Sequence, residues 1–165
     1  MSAERSAGVS PVIRAARPDE AAMLSGLALR SKAHWGYPAA FMEACIPALT
    51  FDEGFIARAD VFVAEAAGEV AGFGSLEKLD KKRAELVHLF VEPPWIGKGI
   101  GRALIGAAIE RARDDGVEEI IIQGDPNAAK FYEAAGARLI STRPSEVDAS
   151  RLLPLLLLRI ERGRS

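Results

Sequence analysis

The hydrophobic pattern changes period several times along the chain, and each change marks an element. Val12-Ile13-Arg14 reads as a short strand. Pro18-Asp19-Glu20 opens a helix with its acids in the first turn, where the helix dipole favours negative charge. Met23, Leu24, Leu27 and Ala28 then recur at helical spacing. Gly36 and Pro38 interrupt, and Ala39 to Leu49 predicts a second helix. Val61 to Glu65 and Val70 to Leu76 read as strands of a hairpin turning at Ala67-Gly68-Glu69. Gly72 and Gly74 inside the second strand predict a bulge or a close backbone approach. Glu85 to Val91 is a third strand, ended by Pro93-Pro94. Gly99 to Asp115 is an amphipathic helix, with Ile100, Leu104, Ala107, Ala108 and Ala112 inward and Arg102, Glu110 and Arg113 outward. Gly116 stops it. Glu119 to Gln123 is a β-branched strand, Asn127 caps a helix that ends at Gly136, and Leu139 to Thr142 and Leu152 to Ile160 are the last strands.

The predicted order is β-α-α-β-β-β-α-β-α-β-β. It contains no internal repeat and no linker that would split it, so one domain is expected over residues 11–165, after a disordered tail over residues 1–10. Lys and Arg number 21 against 23 Asp and Glu. That balance offers no global attraction to nucleic acid or to an anionic membrane. Cys45 stands alone, so neither an internal disulfide nor a cysteine cluster for zinc can form. The first ten residues have no apolar core of the signal-peptide kind, and no apolar run approaches the ~20 residues of a spanning helix. A soluble cytoplasmic protein without a metal is the expectation.

One loop carries a chemical signal. Gly97-Lys98-Gly99-Ile100-Gly101 lies between a strand and a helix, where glycines permit close backbone approach and successive N–H groups at a helix start make an anion site. Lys98 and Arg102 add positive charge. A Walker A loop is excluded because Gly97-Lys98 is followed by Gly99 rather than Ser or Thr, and the dinucleotide fingerprint is excluded because Leu104 occupies its third glycine position. On the loop alone, a tight turn and a phosphate cradle remain equally open.

Leu89-Phe90-Val91-Glu92-Pro93, followed by Ile96-Gly97-Lys98-Gly99-Ile100-Gly101-Arg102-Ala103-Leu104, resembles motif A of the GNAT acetyltransferase superfamily. That motif reads Arg/Gln-x-x-Gly-x-Gly/Ala and holds the pyrophosphate of coenzyme A on backbone amides. Asn127-Ala128-Ala129-Lys130-Phe131-Tyr132-Glu133-Ala134-Ala135-Gly136-Ala137 resembles motif B, whose helix faces the thioester. The resemblance covers Val12 to Ile160. It implies an α/β (α+β) acyl-CoA N-acyltransferase fold, with a mixed, mostly antiparallel, twisted sheet flanked by helices. Ile96 departs from the motif, standing where Arg or Gln is usual. The resemblance further implies that the strand Glu85–Val91 splays from Glu119–Gln123, and that main-chain groups of Leu89, Phe90 and Val91 bind the pantetheine arm. The phosphates fall to Gly97, Lys98, Gly99, Ile100, Gly101 and Arg102, with Asn127, Lys130 and Tyr132 as further cofactor contacts.

Acetyl transfer from acetyl-CoA to an amine needs a neutral amine, a donor for the oxyanion and a proton for the departing thiolate. The resemblance gives the last role to Tyr132, which periodicity alone would read as a packed helix residue. For the base, Glu85 stands at the spacing of the catalytic glutamate in the histone-acetylating branch, and a solvated strand carboxylate is the plain alternative. His88, on the opposite strand face, is a second candidate, with a partly buried polar residue as its alternative. His34, Trp35 and Tyr37 fall where the superfamily binds its acceptor, and also fit an apolar hinge. The expected acceptor is a small-molecule amine. A lysine- or N-terminus-modifying enzyme and a non-catalytic acyl-CoA-binding module are the rivals. A homodimer is expected ahead of a monomer, with Leu152 to Leu158 as an apolar segment that permits it.

Overall fold

A computed structural model describes residues 10–161; most of the N-terminal segment expected to be a disordered tail lies outside the described residues. The strands are β1 (Val12–Ala15), β2 (Asp60–Ala66), β3 (Glu69–Lys78), β4 (Arg83–Val91), β5 (Glu119–Gln123), β6 (Arg138–Pro144) and β7 (Leu152–Arg159). The helices are α1 (Ala21–Ala33), α2 (Ala39–Cys45), α3 (Glu53–Arg58), α4 (Ile100–Asp114) and α5 (Ala129–Ala134). The strands order as β1-β2-β3-β4-β5-β7-β6. β4 and β5 run parallel, while β1–β2, β5–β7 and β6–β7 are antiparallel. This is the mixed, mostly antiparallel sheet expected from the sequence.

The chain divides into two compact units, with β3, β4 and α4 running through both. The first holds the described residues up to Ser75 together with His88–Gly106. Ala67 at φ 53° and Gly68 at φ 78° make the two-residue turn between β2 and β3, a left-handed pair that matches the twist of a hairpin. Two glycines of β3 are required by close approach. A Cβ on Gly72 would lie 2.7 Å from the Phe90 carbonyl oxygen, and one on Gly74 2.9 Å from the Phe62 ring. Leu24, Leu27, Phe62 and Phe73 are fully buried in this unit. Glu20 is buried too, and its carboxylate is held by Arg14 at 2.8 and 3.0 Å and by the Arg17 N–H at 2.7 Å. Those bonds pull its pKa down to about 2, the Arg14 bond most strongly.

Three expectations in this unit are corrected. Met23 is 38% exposed and does not belong to the buried face of α1. The helix expected over Ala39–Leu49 ends at Cys45, because Pro47 cannot continue it, and a 3-10 turn covers Pro47–Leu49. A further helix, α3, follows, capped by Asp52, whose carboxylate accepts the Phe55 N–H at 2.8 Å.

The second unit holds Leu76–Val87 and the described residues from Ala107 onward. Ile120, Ile122, Leu156 and Leu158 form the buried face of β5 and β7. The β4–β5 ladder runs from Arg83↔Glu119 to Leu86↔Ile122, and β4 itself continues to Val91. α4 stops where Gly116 turns at φ 78°. β6 is exposed along its whole length. Asn127 does not cap the helix before Gly136. Asp125 does so for the 3-10 turn Pro126–Ala128, accepting the Asn127 N–H at 2.9 Å and the Asn127 side-chain N–H at 2.8 Å, and α5 follows that turn. Pro126 at the first helical position moves the start two residues earlier than the sequence pattern suggests.

Candidate active site

In the first unit, the polypeptide between β4 and α4 forms a shallow, exposed glycine turn. Gly97 and Gly99 adopt φ 82° and 90°, conformations that side chains rarely take, and nothing lies within 4 Å of where their Cβ atoms would stand. The Lys98 N–H donates to the Trp95 carbonyl at 3.3 Å, and the Ala103 N–H to the Gly99 carbonyl at 3.1 Å. Between these bonds, the amides of Gly99, Ile100 and Gly101 lie at the open end of a fifteen-residue helix, where its own ladder supplies no acceptor. Ile100 is buried and anchors the turn, while Lys98 and Arg102 are exposed. The Lys98 ammonium rests 5.6 Å from the Trp95 ring centre. Helix-end amides, a helix dipole and two cations suit a phosphate group, and the open space over both glycines leaves room for one.

The last residues of β4 converge on this turn. The Phe90 carbonyl and the Ile100 and Leu104 side chains all meet at Gly72. The Ser31 hydroxyl accepts the Val91 N–H at 3.2 Å, and the Arg30 guanidinium grips Glu92 through two bonds of 2.7 and 2.8 Å. These ties latch the C-terminal end of α1 to the end of β4, and the sequence pattern alone does not predict them. Beyond α1, His34 and Trp35 are exposed and meet edge to face at 5.5 Å. Tyr37 packs on Phe41 at 4.7 Å beneath the Lys32 ammonium.

His88 lies in an aromatic cage. Its ring stands within 6.5 Å of Phe51, Phe55, Phe73 and Phe90, and its Nδ1 shares a 2.8 Å hydrogen bond with the Ser75 hydroxyl, itself fully buried. Burial pushes its pKa from 6.5 down to about 4. The ring is neutral at physiological pH and a weak base.

In the second unit, Glu85 is half-buried on β4 opposite Ile121. Burial raises its pKa; Arg143 opposes that rise, and the charges of Glu77 and Glu146 add to it. Tyr132 of α5 is buried, with its ring against Gly124, where a Cβ would come within 3.1 Å of it. Burial, reinforced by the Asp125 charge, raises its phenol well above the usual value, so the hydroxyl keeps its proton at neutral pH. Asn127 and Lys130 are exposed nearby in the chain. Among the described residues, no cluster of His, Cys, Asp or Glu could hold a metal ion, and no helix is long and apolar enough to cross a membrane.

The profile of the acetyltransferase (GNAT) family matches residues 27–137, more than half of the chain and both glycine-turn and Tyr132 segments. The chain belongs to the GNAT acetyltransferase family. This GNAT chain is 36% identical over 84 residues to a mycothiol acetyltransferase of Propionibacterium freudenreichii, a match covering 47% of the chain and 27% of that protein. An uncharacterized N-acetyltransferase of Methanocaldococcus jannaschii is also 36% identical over 84 residues, with 46% and 37% covered. The chain thus matches well under half the length of these relatives. The fold resembles that of the PaiA N-acetyltransferase of Thermoplasma acidophilum, solved in complex with coenzyme A, with a TM-score of 0.77 and 21% identity over 91% of this chain and 99% of that one.

Proposed function

We propose that this GNAT chain transfers the acetyl group of acetyl-CoA to a primary amine by direct attack. The observation that carries the reading is the glycine turn at the start of α4, with its left-handed Gly97 and Gly99 and its helix-end amides. In this reading the amides of Gly99, Ile100 and Gly101 hold the pyrophosphate, with Lys98 and Arg102 adding charge. Ile96 contributes no charge where the family commonly has Arg or Gln, and the backbone donors carry the affinity. Main-chain groups of Leu89 and Phe90 bind the pantetheine arm, while the Val91 N–H already has the Ser31 hydroxyl as its acceptor. Asn127 and Lys130 complete the cofactor contacts.

Glu85 takes a proton from the ammonium group, directly or through water, leaving a neutral amine. The amine nitrogen forms a bond to the thioester carbonyl carbon, the carbon–sulfur bond breaks, and Tyr132 gives its phenolic proton to the departing sulfur. The proton still on the new amide nitrogen and the one taken by Glu85 are lost to solvent, and Tyr132 regains one from the same source. Two features favour Glu85 over His88: its raised pKa makes it a stronger base than a free glutamate, and the caged, low-pKa imidazole is a weak one. His34, Trp35 and Tyr37 line the acceptor side.

The test is thiol release from acetyl-CoA across alkylamines, amino acids, polyamines, aminoglycosides and lysine peptides. Acceptor-dependent release with at least one class is expected. Tight coenzyme A binding with no release for any acceptor would reduce the protein to a binding module.

A further inference from the structure

Glu85 shares its sheet face with an arginine from the far edge strand. Paired residues of neighbouring strands point to the same face. Glu85 is opposite Ile121, Ile121 is opposite Leu157, and Arg143 of β6 is opposite Leu153, four residues back along β7. Glu85, Ile121, Gln123, Leu155, Leu157 and Arg143 therefore line one surface. The Arg143 side chain leaves its own strand and crosses β7, and its Nη1 donates to the Gln123 side-chain oxygen on β5 at 3.0 Å. One bond to a neutral amide fixes the guanidinium without neutralising it, and leaves donors of its five-N–H fork for a second partner.

The spacing is that of a small molecule. Gln123 lies two residues along β5 from the partner of Glu85. Strand separation and rise together put the Cα atoms of Glu85 and Gln123 about 8 Å apart. Ile121 beside Glu85, with Leu157 and Leu155 flanking β5 on its other side, makes the surface around them half-buried and apolar. Glu77 and Glu146 add negative charge around Glu85, which favours the cationic end of a ligand there, while the fixed guanidinium favours an anionic end.

We propose that Arg143, steadied by Gln123, recognises a carboxylate on the acceptor, so that the amine acetylated by this chain is a short amino acid. The inference rests on the acetyltransfer reading and on Glu85 facing the reacting amine. It makes Arg143 a specificity-determining residue and Gln123 its positioning residue.

The experiment compares kcat/KM for β-alanine, its carboxamide and propylamine, in the wild type and in Arg143→Met and Gln123→Leu. β-Alanine should exceed propylamine by about tenfold to a hundredfold, the worth of a charge-assisted hydrogen bond. Arg143→Met should bring that ratio towards one, mainly through KM for β-alanine, and Arg143→Lys should restore part of it. Gln123→Leu should lower the ratio by a smaller factor. Melting curves check that each variant folds. Propylamine used as well as β-alanine, or a ratio unmoved in Arg143→Met, overturns the carboxylate site and leaves acetyltransfer standing. No thiol release with any acceptor overturns both.

Discussion

Acid should destabilise this protein through His88 before it titrates the buried Glu20 carboxylate held by Arg14 and Arg17. The imidazole is caged by four phenylalanine rings that bring no charge, and its pKa falls from 6.5 to about 4. A histidine held neutral in the folded state stabilises fully above the unfolded value. That contribution is lost as pH falls from 6.5 towards 4, because only the unfolded chain takes up the proton. The gap corresponds to about 3 kcal/mol in total, and about 2 kcal/mol of it should vanish between pH 7 and pH 5. Glu20 acts lower: its depressed pKa preserves stability above 4.5 and loses it as pH falls towards 2. The assay is urea unfolding of wild type and His88→Gln at half-unit steps from pH 7.5 to 5. The variant loses packing and the Ser75 bond, a constant offset, so the informative quantity is the difference in slope. Wild type should lose about 2 kcal/mol more than the variant across the range. Parallel curves, or a His88 resonance titrating near 6.5, would refute the caged imidazole.

Tyr132→Phe should keep coenzyme A affinity and slow turnover by up to ~10²–10⁴-fold, the range for a positioned proton donor; equal turnover at every pH would make Tyr132 a packing residue. Glu85→Gln should lower turnover at neutral pH and recover as pH rises and the amine deprotonates unaided, whereas the same rescue in His88→Gln alone would move the base to His88. Gly72→Ala puts a Cβ 2.7 Å from the Phe90 carbonyl and should cost about 1–3 kcal/mol by overpacking, seen as a melting point several degrees lower. An unchanged melting point would mean that β3 yields at no cost.

Much of this fold could be read from the residues. The hairpin was legible because Ala67-Gly68 stands between two apolar runs, and β5 because Glu119–Gln123 is β-branched and bounded on both sides. The close approach expected at Gly72 and Gly74 is real, since backbone and ring atoms occupy the space a side chain would need. α3 leaves no pattern because six residues are too few to display a helical period, and only Asp52 before Glu53 hints at a cap. Asn127 reads as the cap from sequence because Asp125 is separated from the helix by a proline, which reads as loop. Within the candidate site, the glycine turn, Glu85 and Tyr132 carried sequence signals. The cage around His88 did not, because Phe51, Phe55 and Ser75 reach it from elements far apart in the chain. The Arg30–Glu92 and Ser31–Val91 ties were invisible for the same reason. Arg143 reaches Gln123 from an edge strand twenty residues away, a pairing that only the register of β5, β7 and β6 creates.

If the amides of the glycine turn hold the pyrophosphate of coenzyme A, their own resonances must report it. Amide NMR spectra of the protein, selectively labelled with ¹⁵N-glycine, test it most directly. On titration with coenzyme A, the Gly99 and Gly101 N–H resonances should shift downfield as they become donors to phosphate oxygens, and pantetheine at equal saturation should leave them in place. Gly99 and Gly101 resonances unmoved at saturating coenzyme A, or moved equally by pantetheine, would contradict it.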